Sequence, residues 1–159
     1  MPIDTLHRAH VEIRPTDPDD RAALQCLAAY FQLLTDKAVT RETFPLPDPD
    51  AYKYRPPHGT FLIAFSHTLP IGCVSLRTLD PGLGEVKRLW VAPDVRGQGL
   101  ARRLMTAVEN AARALNLHHL NLDTNAALPE AIALYHATGW HPIPAYSGFP
   151  STHWFGKRL

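Results

Sequence analysis

Residues 85–105 read EVKRLWVAPDVRGQGLARRLM. Glu85 to Val91 alternates as a half-buried strand does, with Val86 and Trp90 facing one way and Glu85, Leu89 and Val91 the other. Pro93 and Asp94 end the strand. Arg96-Gly97-Gln98-Gly99-Leu100-Ala101 then sets two glycines in a tight loop that leads into Leu100, Leu104, Val108, Ala111 and Leu115, an apolar stripe at helical spacing. Strand, glycine loop and helix start together make an anion site. The first helical turn has N–H groups without intrahelical partners, the macrodipole adds partial positive charge, and glycine lets the backbone close on a bulky oxyanion. Arg96, Arg102 and Arg103 could add charge-assisted contacts, although a plain strand-turn-helix packing unit would also use glycines here.

Composition bounds the rest. At 159 residues the chain is long enough for one sizeable core and short for two domains, so residues 1–159 are expected to form a single domain. Sixteen Lys+Arg against 15 Asp+Glu leave a net charge of +1, which gives no basic field for nucleic acid, and 45% hydrophobic content is that of a globular chain. Cys26 and Cys73 are too few and too far apart for a disulfide framework or a CxxC metal site and read as small buried hydrophobes. The nine histidines show no paired-ligand spacing, and no metal is expected. The opening Met1 to Arg8 lacks the apolar core of a signal peptide and no run is long enough to span a bilayer, so a cytoplasmic protein without membrane contact is expected.

Taken in order, Val11 to Arg14 suits a first strand. Asp17-Pro18-Asp19-Asp20 offers a helix start with proline at its first position, followed by the stripe Leu24, Leu27, Phe31 and Leu34. Thr35 to His58, rich in proline, reads as a long connection, in which Asp48 and Asp50 are either contacts for a cationic ligand or solvated acids. Thr60 to Phe65 and Ile71 to Leu79 form an antiparallel hairpin, and Glu85 begins the next strand. The helix from Gly99 ends near Leu115, with Asn116 as a left-handed stop. Leu120 to Thr124 is a strand parallel to that of Glu85, because a helix separates them. Pro129 opens and Gly139 closes a further helix, with Trp140 packing back on its last turn. Two β-rich runs, Trp140 to Tyr146 and His153 to Lys157, complete an α/β mixed sheet with antiparallel N-terminal strands, a central parallel βαβ unit and flanking helices. The apolar run Phe149 to Phe155 could serve a homodimer.

A dinucleotide fingerprint needs a third glycine where Arg102 stands, and a P-loop needs Gly-Lys-Ser/Thr, which occurs nowhere. Arg96-x-x-Gly99-x-Ala101 instead resembles the pyrophosphate-binding motif of the GNAT (Gcn5-related) N-acetyltransferases. Leu122-Asp123-Thr124, Ala133-Leu134-Tyr135 and Gly139-Trp140 extend the resemblance from about Thr60 to the C-terminus. It implies a GNAT-like acetyltransferase domain with acetyl-coenzyme A as cofactor and the primary amine of a small molecule or peptide as acceptor.

The resemblance also assigns roles. Arg96, Gly97, Gln98, Gly99, Leu100, Ala101 and Arg102 would hold the pyrophosphate, whereas Arg103 is expected on the solvent face. The pantetheine arm would run beside Leu89, Trp90 and Val91, between this strand and its parallel neighbour, with the Val91 N–H as oxyanion donor. Glu85 stands where several family members carry the general base, or it is a solvated acid at the head of a strand. Tyr135 matches the tyrosine that protonates the departing thiolate. Where many family members have an asparagine that touches the cofactor, this chain has Leu128, and Asn125 is the candidate replacement. A non-catalytic acyl-CoA sensor is the competing reading, but it would need the loop without Glu85 and Tyr135.

Overall fold

The computed structural model describes residues 10–159, so the segment Met1 to Arg8 lies outside the described residues. Among these residues, seven strands form one sheet in the order β1-β2-β3-β4-β5-β7-β6. The strands β1 (Val11–Pro15), β2 (Gly59–Ser66), β3 (Leu69–Asp80) and β4 (Leu83–Val91) are antiparallel in succession. The next, β5 (His119–Thr124), is parallel to β4, and β7 (His153–Arg158) runs antiparallel between β5 and the two-residue β6 (His141–Pro142). Three helices complete the architecture: α1 (Arg21–Asp36), α2 (Leu100–Ala114) and α3 (Pro129–Ala137). The expected mixed sheet with its parallel βαβ centre is the observed one.

The helices divide between the two faces of the sheet. On one face α2 buries Leu100, Leu104, Met105, Val108 and Ala112 against Val74, Leu76, Val86, Leu120 and Leu122, and α3 adds Tyr135. On the other, Ala23, Cys26 and Leu27 of α1 pack on Phe61, Ile63 and Cys73. Both cysteines are free and buried, and each fully buried large apolar side chain contributes about 1.5 to 3 kcal/mol. On the α2 face, Lys157 of β7 ties α2 to the end of α3, donating to Thr138 O at 2.7 Å and pairing with the buried Glu109 of α2 at 2.7 Å.

The helix ends read from sequence are present. Asn116 has φ +60°, Gly139 has φ +86°, Pro129 is the first residue of α3, and Trp140 N–H donates to Tyr135 O at 3.1 Å. The start of α1 differs from expectation. Helix begins at Arg21, Asp20 makes no side-chain cap, and Asp17 and Asp19 instead hold Arg55 at 2.8 and 2.7 Å, fastening the connection after α1 to the chain before it. That connection contains one helical turn of its own, Ala51–Tyr54, whose Ala51 and Tyr54 are buried. The run Trp140 to Tyr146 yields only the two-residue β6, since Pro142 and Pro144 lack the N–H that a longer ladder needs. The run Phe149 to Phe155 also divides, with Phe149 91% exposed and Phe155 in the core.

A backbone irregularity in β4 overturns the expected facing of its side chains. The pairing with β3 shifts register between Cys73 and Ser75, and Arg88 opposite takes φ +60°, rare for a residue with a side chain. The extra residue reverses the alternation beyond it. Val86, Leu89 and Val91 pack toward α2, whereas Trp90 packs on the α1 side. Period-two counting puts Val86 with Trp90, because it cannot register an inserted residue.

Candidate functional site

The bulge lies where β4 and β5 part. Their parallel pairing covers Leu83, Gly84 and Glu85 against His119, Leu120 and Asn121, and then stops. Each strand keeps its other neighbour, β4 pairing with β3 as far as Val91 and β5 with β7 as far as Thr124. A wedge therefore opens between them. In an antiparallel pair, successive N–H groups point alternately to either side. Ala92 N–H donates to Ile71 O at 2.9 Å, so the Val91 N–H is turned away from β3 and into the wedge.

At the wide end of the wedge the chain passes through the turn Pro93–Val95 to the glycine loop. Gly97 and Gly99 have φ +77° and +80°, and Gly99 is the N-cap of α2. A Cβ built on either glycine would meet nothing within 4 Å, so the loop is open on its outer side. The first-turn N–H groups of α2 face this space. Arg96 is anchored by Nε–H donation to Val91 O at 3.1 Å, whereas Arg103 turns away and donates to Val11 O at 3.3 Å. A cleft of about 490 Å³ runs from this loop along β4, with Leu128, Ala131 and Leu134 of the α3 region as its far wall and Leu33 of α1 and Lys37 just after it at one side. Leu89, Trp90, Val91, Arg96, Gly97, Gly99, Leu100, Ala101 and Arg102 all line it.

Glu85 sits at the apex, where the strands are still paired, and is only 2% exposed. Arg77 Nε–H donates to its Oε1 at 2.8 Å, Lys87 Nζ lies 3.5 Å from the same oxygen, and the Tyr146 hydroxyl donates to Oε2 at 2.7 Å. It is therefore not the solvated acid that a strand head allows. Burial, and then the hydrogen bond to Glu85, push the Tyr146 phenol far above its ordinary range. Lys87 also reaches Asp123 of β5, at 3.7 Å, and Ser147 donates to Asp123 at 2.6 Å. Burial pushes the Asp123 carboxyl up, but Lys87 and hydrogen bonds from Ser147 and Ser151 outweigh it and hold the group below the usual carboxylate range.

A second pocket, about 190 Å³, continues the cleft along the wedge on the α1 side and shares Leu128 with it. Tyr30, Phe31, Leu34, Val39 and Phe44 supply its apolar wall, and Lys87, Arg88, Asp123 and Thr124 its polar side. Asp48 pairs with Arg88 at 3.0 Å, so it serves the bulge, while Asp50 pairs with Lys53 at 3.5 Å on the surface. Asn125 lines this second pocket and not the larger cleft. Its Nδ2 donates to Pro150 O at 2.6 Å and its Oδ1 accepts from Ala127 N–H at 2.8 Å, so it staples the β5–α3 connection.

Tyr135 lies on α3 one turn beyond Ala131, with its ring 6.0 Å from Trp140 and 5.8 Å from Phe155. Its phenol is pushed above the usual range by burial first and then by Tyr30 and Asp123, and the side chain, 5% exposed, lines neither the cleft nor the second pocket. Lys87, Arg88, Asp123, Tyr146 and the α1 wall were not singled out as site residues from the sequence. Period two alone puts Lys87 beside Glu85, but nothing local announces Tyr146, 61 residues away.

Residues 25–140 match the model of the acetyltransferase (GNAT) family, and the chain belongs to that family of acyltransferases. Over 107 residues it is 38% identical to the IAA acetyltransferase of Azospirillum brasilense, covering 65% of this chain and 70% of that one. It is 35% identical over 109 residues to an uncharacterized N-acetyltransferase of Schizosaccharomyces pombe, 67% of each chain. Its fold is similar to that of a candidate acyl-CoA N-acyltransferase from Klebsiella pneumoniae, with TM-score 0.77, 26% identity and 95% and 99% of the two chains covered. The N-acetylglutamate synthase of Neisseria gonorrhoeae, solved with coenzyme A and N-acetyl-glutamate, shares the fold at TM-score 0.71 and 19% identity over 94% of this chain and 35% of that one.

Proposed function

We propose that the protein transfers the acetyl group of acetyl-coenzyme A to the primary amine of a small molecule or peptide. The observation that carries this reading is one continuous cleft. It joins an open glycine loop on a helix N-terminus to a wedge into which the Val91 N–H projects. Bound acetyl-CoA would supply an acetyl thioester, and the residues present suit it. The loop from Arg96 to Arg102 offers backbone donors, two left-handed glycines without a Cβ in the way, and guanidinium groups for a pyrophosphate. The exposed edge of β4 at Leu89 and Val91 offers peptide-like hydrogen bonds to an extended arm.

Within the wedge the Val91 N–H would stabilise charge on the carbonyl oxygen, a contribution on the order of 3 kcal/mol in other enzymes. Glu85 would accept the acceptor's proton. It has no direct opening to either pocket, so the proton would pass through an intervening water or Tyr146. Tyr135, a phenol that carries its proton at neutral pH, would donate to the departing sulfur. The binding-only alternative gains no support from the apex of the wedge, where Arg77, Lys87 and Tyr146 all converge on one carboxylate that a pure binder would not need. Incubation with acetyl-CoA and a panel of primary amines, read by thiol release, tests the reading. Amine-dependent release supports it, and binding of acetyl-CoA without release to any amine would make the protein a sensor.

A further inference from the structure

The second pocket bears on which amine is acetylated, so an acceptor class drawn from it deepens the proposed acetyl transfer and rests on that function. Every charged group lining that pocket is already matched within the protein. Arg88 pairs with Asp48 at 3.0 Å and lies over the rings of Tyr54 and Phe31, 4.9 and 5.5 Å from their centroids. Lys87 stands between Glu85 at 3.5 Å and Asp123 at 3.7 Å. Asp123 is held by Lys87 and by the Ser147 hydroxyl at 2.6 Å. A carboxylate brought in with the acceptor would have to break one of these pairs to find a cation. A second ammonium would have to do the same to find an anion, and a charge left unmatched in such a site is costly.

The remaining wall is apolar and aromatic. Phe31 and Phe44 stack face to face, with ring centroids 4.1 Å apart and planes 7° from parallel, and stand in the wall beside Leu34, Val39 and Leu128. At about 190 Å³ the space is smaller than the roughly 300 to 1,000 Å³ of pockets for drug-sized ligands. We infer that the acceptor is a small primary amine on an uncharged aromatic body, an arylalkylamine, whose ring packs on Phe31 and Phe44 while its nitrogen lies toward Asp123 and Thr124 in the wedge. In the transfer, the neutral amine's lone pair forms a bond to the thioester carbonyl carbon and the carbon–sulfur bond breaks with its electron pair passing to sulfur. The nitrogen gives up one proton and the thiolate takes up one.

Phenethylamine and phenylalanine differ by one carboxylate, and putrescine replaces the ring with a second ammonium. With saturating acetyl-CoA, phenethylamine should show a kcat/KM ~10² above both others. Phe44→Ala, at a part-exposed position, should raise the phenethylamine KM about 3- to 10-fold, the worth of one aromatic stack, and leave the acetyl-CoA KM unchanged. Equal or greater kcat/KM for phenylalanine or putrescine, or no effect of Phe44→Ala, overturns the acceptor class. So does a protein that binds acetyl-CoA in calorimetry and does not acetylate phenethylamine, a result that leaves the cofactor reading standing. Absence of acetyl-CoA binding removes the underlying function and the acceptor class with it.

Discussion

The Tyr146 hydroxyl donates to Glu85 Oε2 at 2.7 Å, joining the connection after β6 to the apex of the wedge between β4 and β5. With Arg77 on the other oxygen, the carboxylate is held in one orientation and closed off from bulk water. Glu85→Gln keeps the shape and removes the basic oxygen. Turnover near neutral pH should fall by ~10² to 10⁴ while the acetyl-CoA affinity stays within a factor of about two. Tyr146→Phe should cost less, since a water can take the place of the hydroxyl. Steady-state kinetics with an active amine check both, and unchanged turnover in Glu85→Gln would leave the carboxylate a structural ion-pair partner.

Tyr135→Phe retains the ring that packs on Trp140 and Phe155, so a loss of activity isolates the hydroxyl. A thiolate leaves fairly well unaided, and the defect in kcat should be ~10² with little change in KM. Single-turnover rates equal to wild type would remove Tyr135 from the chemistry.

Arg88 and Asp48 form an ion pair whose side chains are 14% and 13% exposed, and the arginine sits on the strained residue of the β4 bulge. Arg88→Ala leaves Asp48 without its counter-charge and should destabilise the fold by about 3 kcal/mol in urea unfolding. Arg88→Met combined with Asp48→Asn should recover part of that loss, whereas a double variant as unstable as the single one would show that the cost lies in the bulge backbone.

Tyr30, pushed up to about 12 by burial, and Tyr54, Tyr135 and Tyr146 all hold their protons past the ordinary phenol value of 10.0. Above that value the unfolded chain releases protons that the folded chain keeps, so the native state binds more of them and stability falls as pH rises. Their contribution is complete below pH 10. Denaturant midpoints should therefore drop from about pH 10 upward through about pH 12, with phenolate absorbance rising together with unfolding. Phenolate formation from all five tyrosines in the folded protein at pH 10 would contradict the burial.

What the sequence disclosed was local. Pro129, Asn116 and Gly139 mark helix ends because each acts through its own φ or its own N–H, and the stripe along α2 reads at period 3.6. The glycine loop was legible for the same reason. What stayed hidden depends on pairs distant in sequence. Arg55 draws Asp17 and Asp19 away from helix capping, Asp48 is claimed by Arg88, and Tyr146 covers Glu85 from 61 residues away. The bulge at Arg88 inverts the facing of everything after it in β4, and no residue there signals an inserted position. The family's asparagine position holds Leu128, and Asn125, its candidate replacement, closes its amide on Pro150 O in the fold.

Calorimetric titration with acetyl-CoA of the wild type and of Gly99→Asn tests the cleft most directly. Asparagine tolerates the φ of +80° better than other side chains, and its Cβ would point into open space, so the variant should fold with a small loss of stability. Its side chain would stand where the pyrophosphate is proposed to lie. The expected result is saturable one-to-one binding by the wild type and an affinity at least ~10-fold weaker in the variant, a difference of about 1.4 kcal/mol. No binding by the wild type, or equal affinity in a folded Gly99→Asn, would contradict the assignment of this loop to coenzyme A.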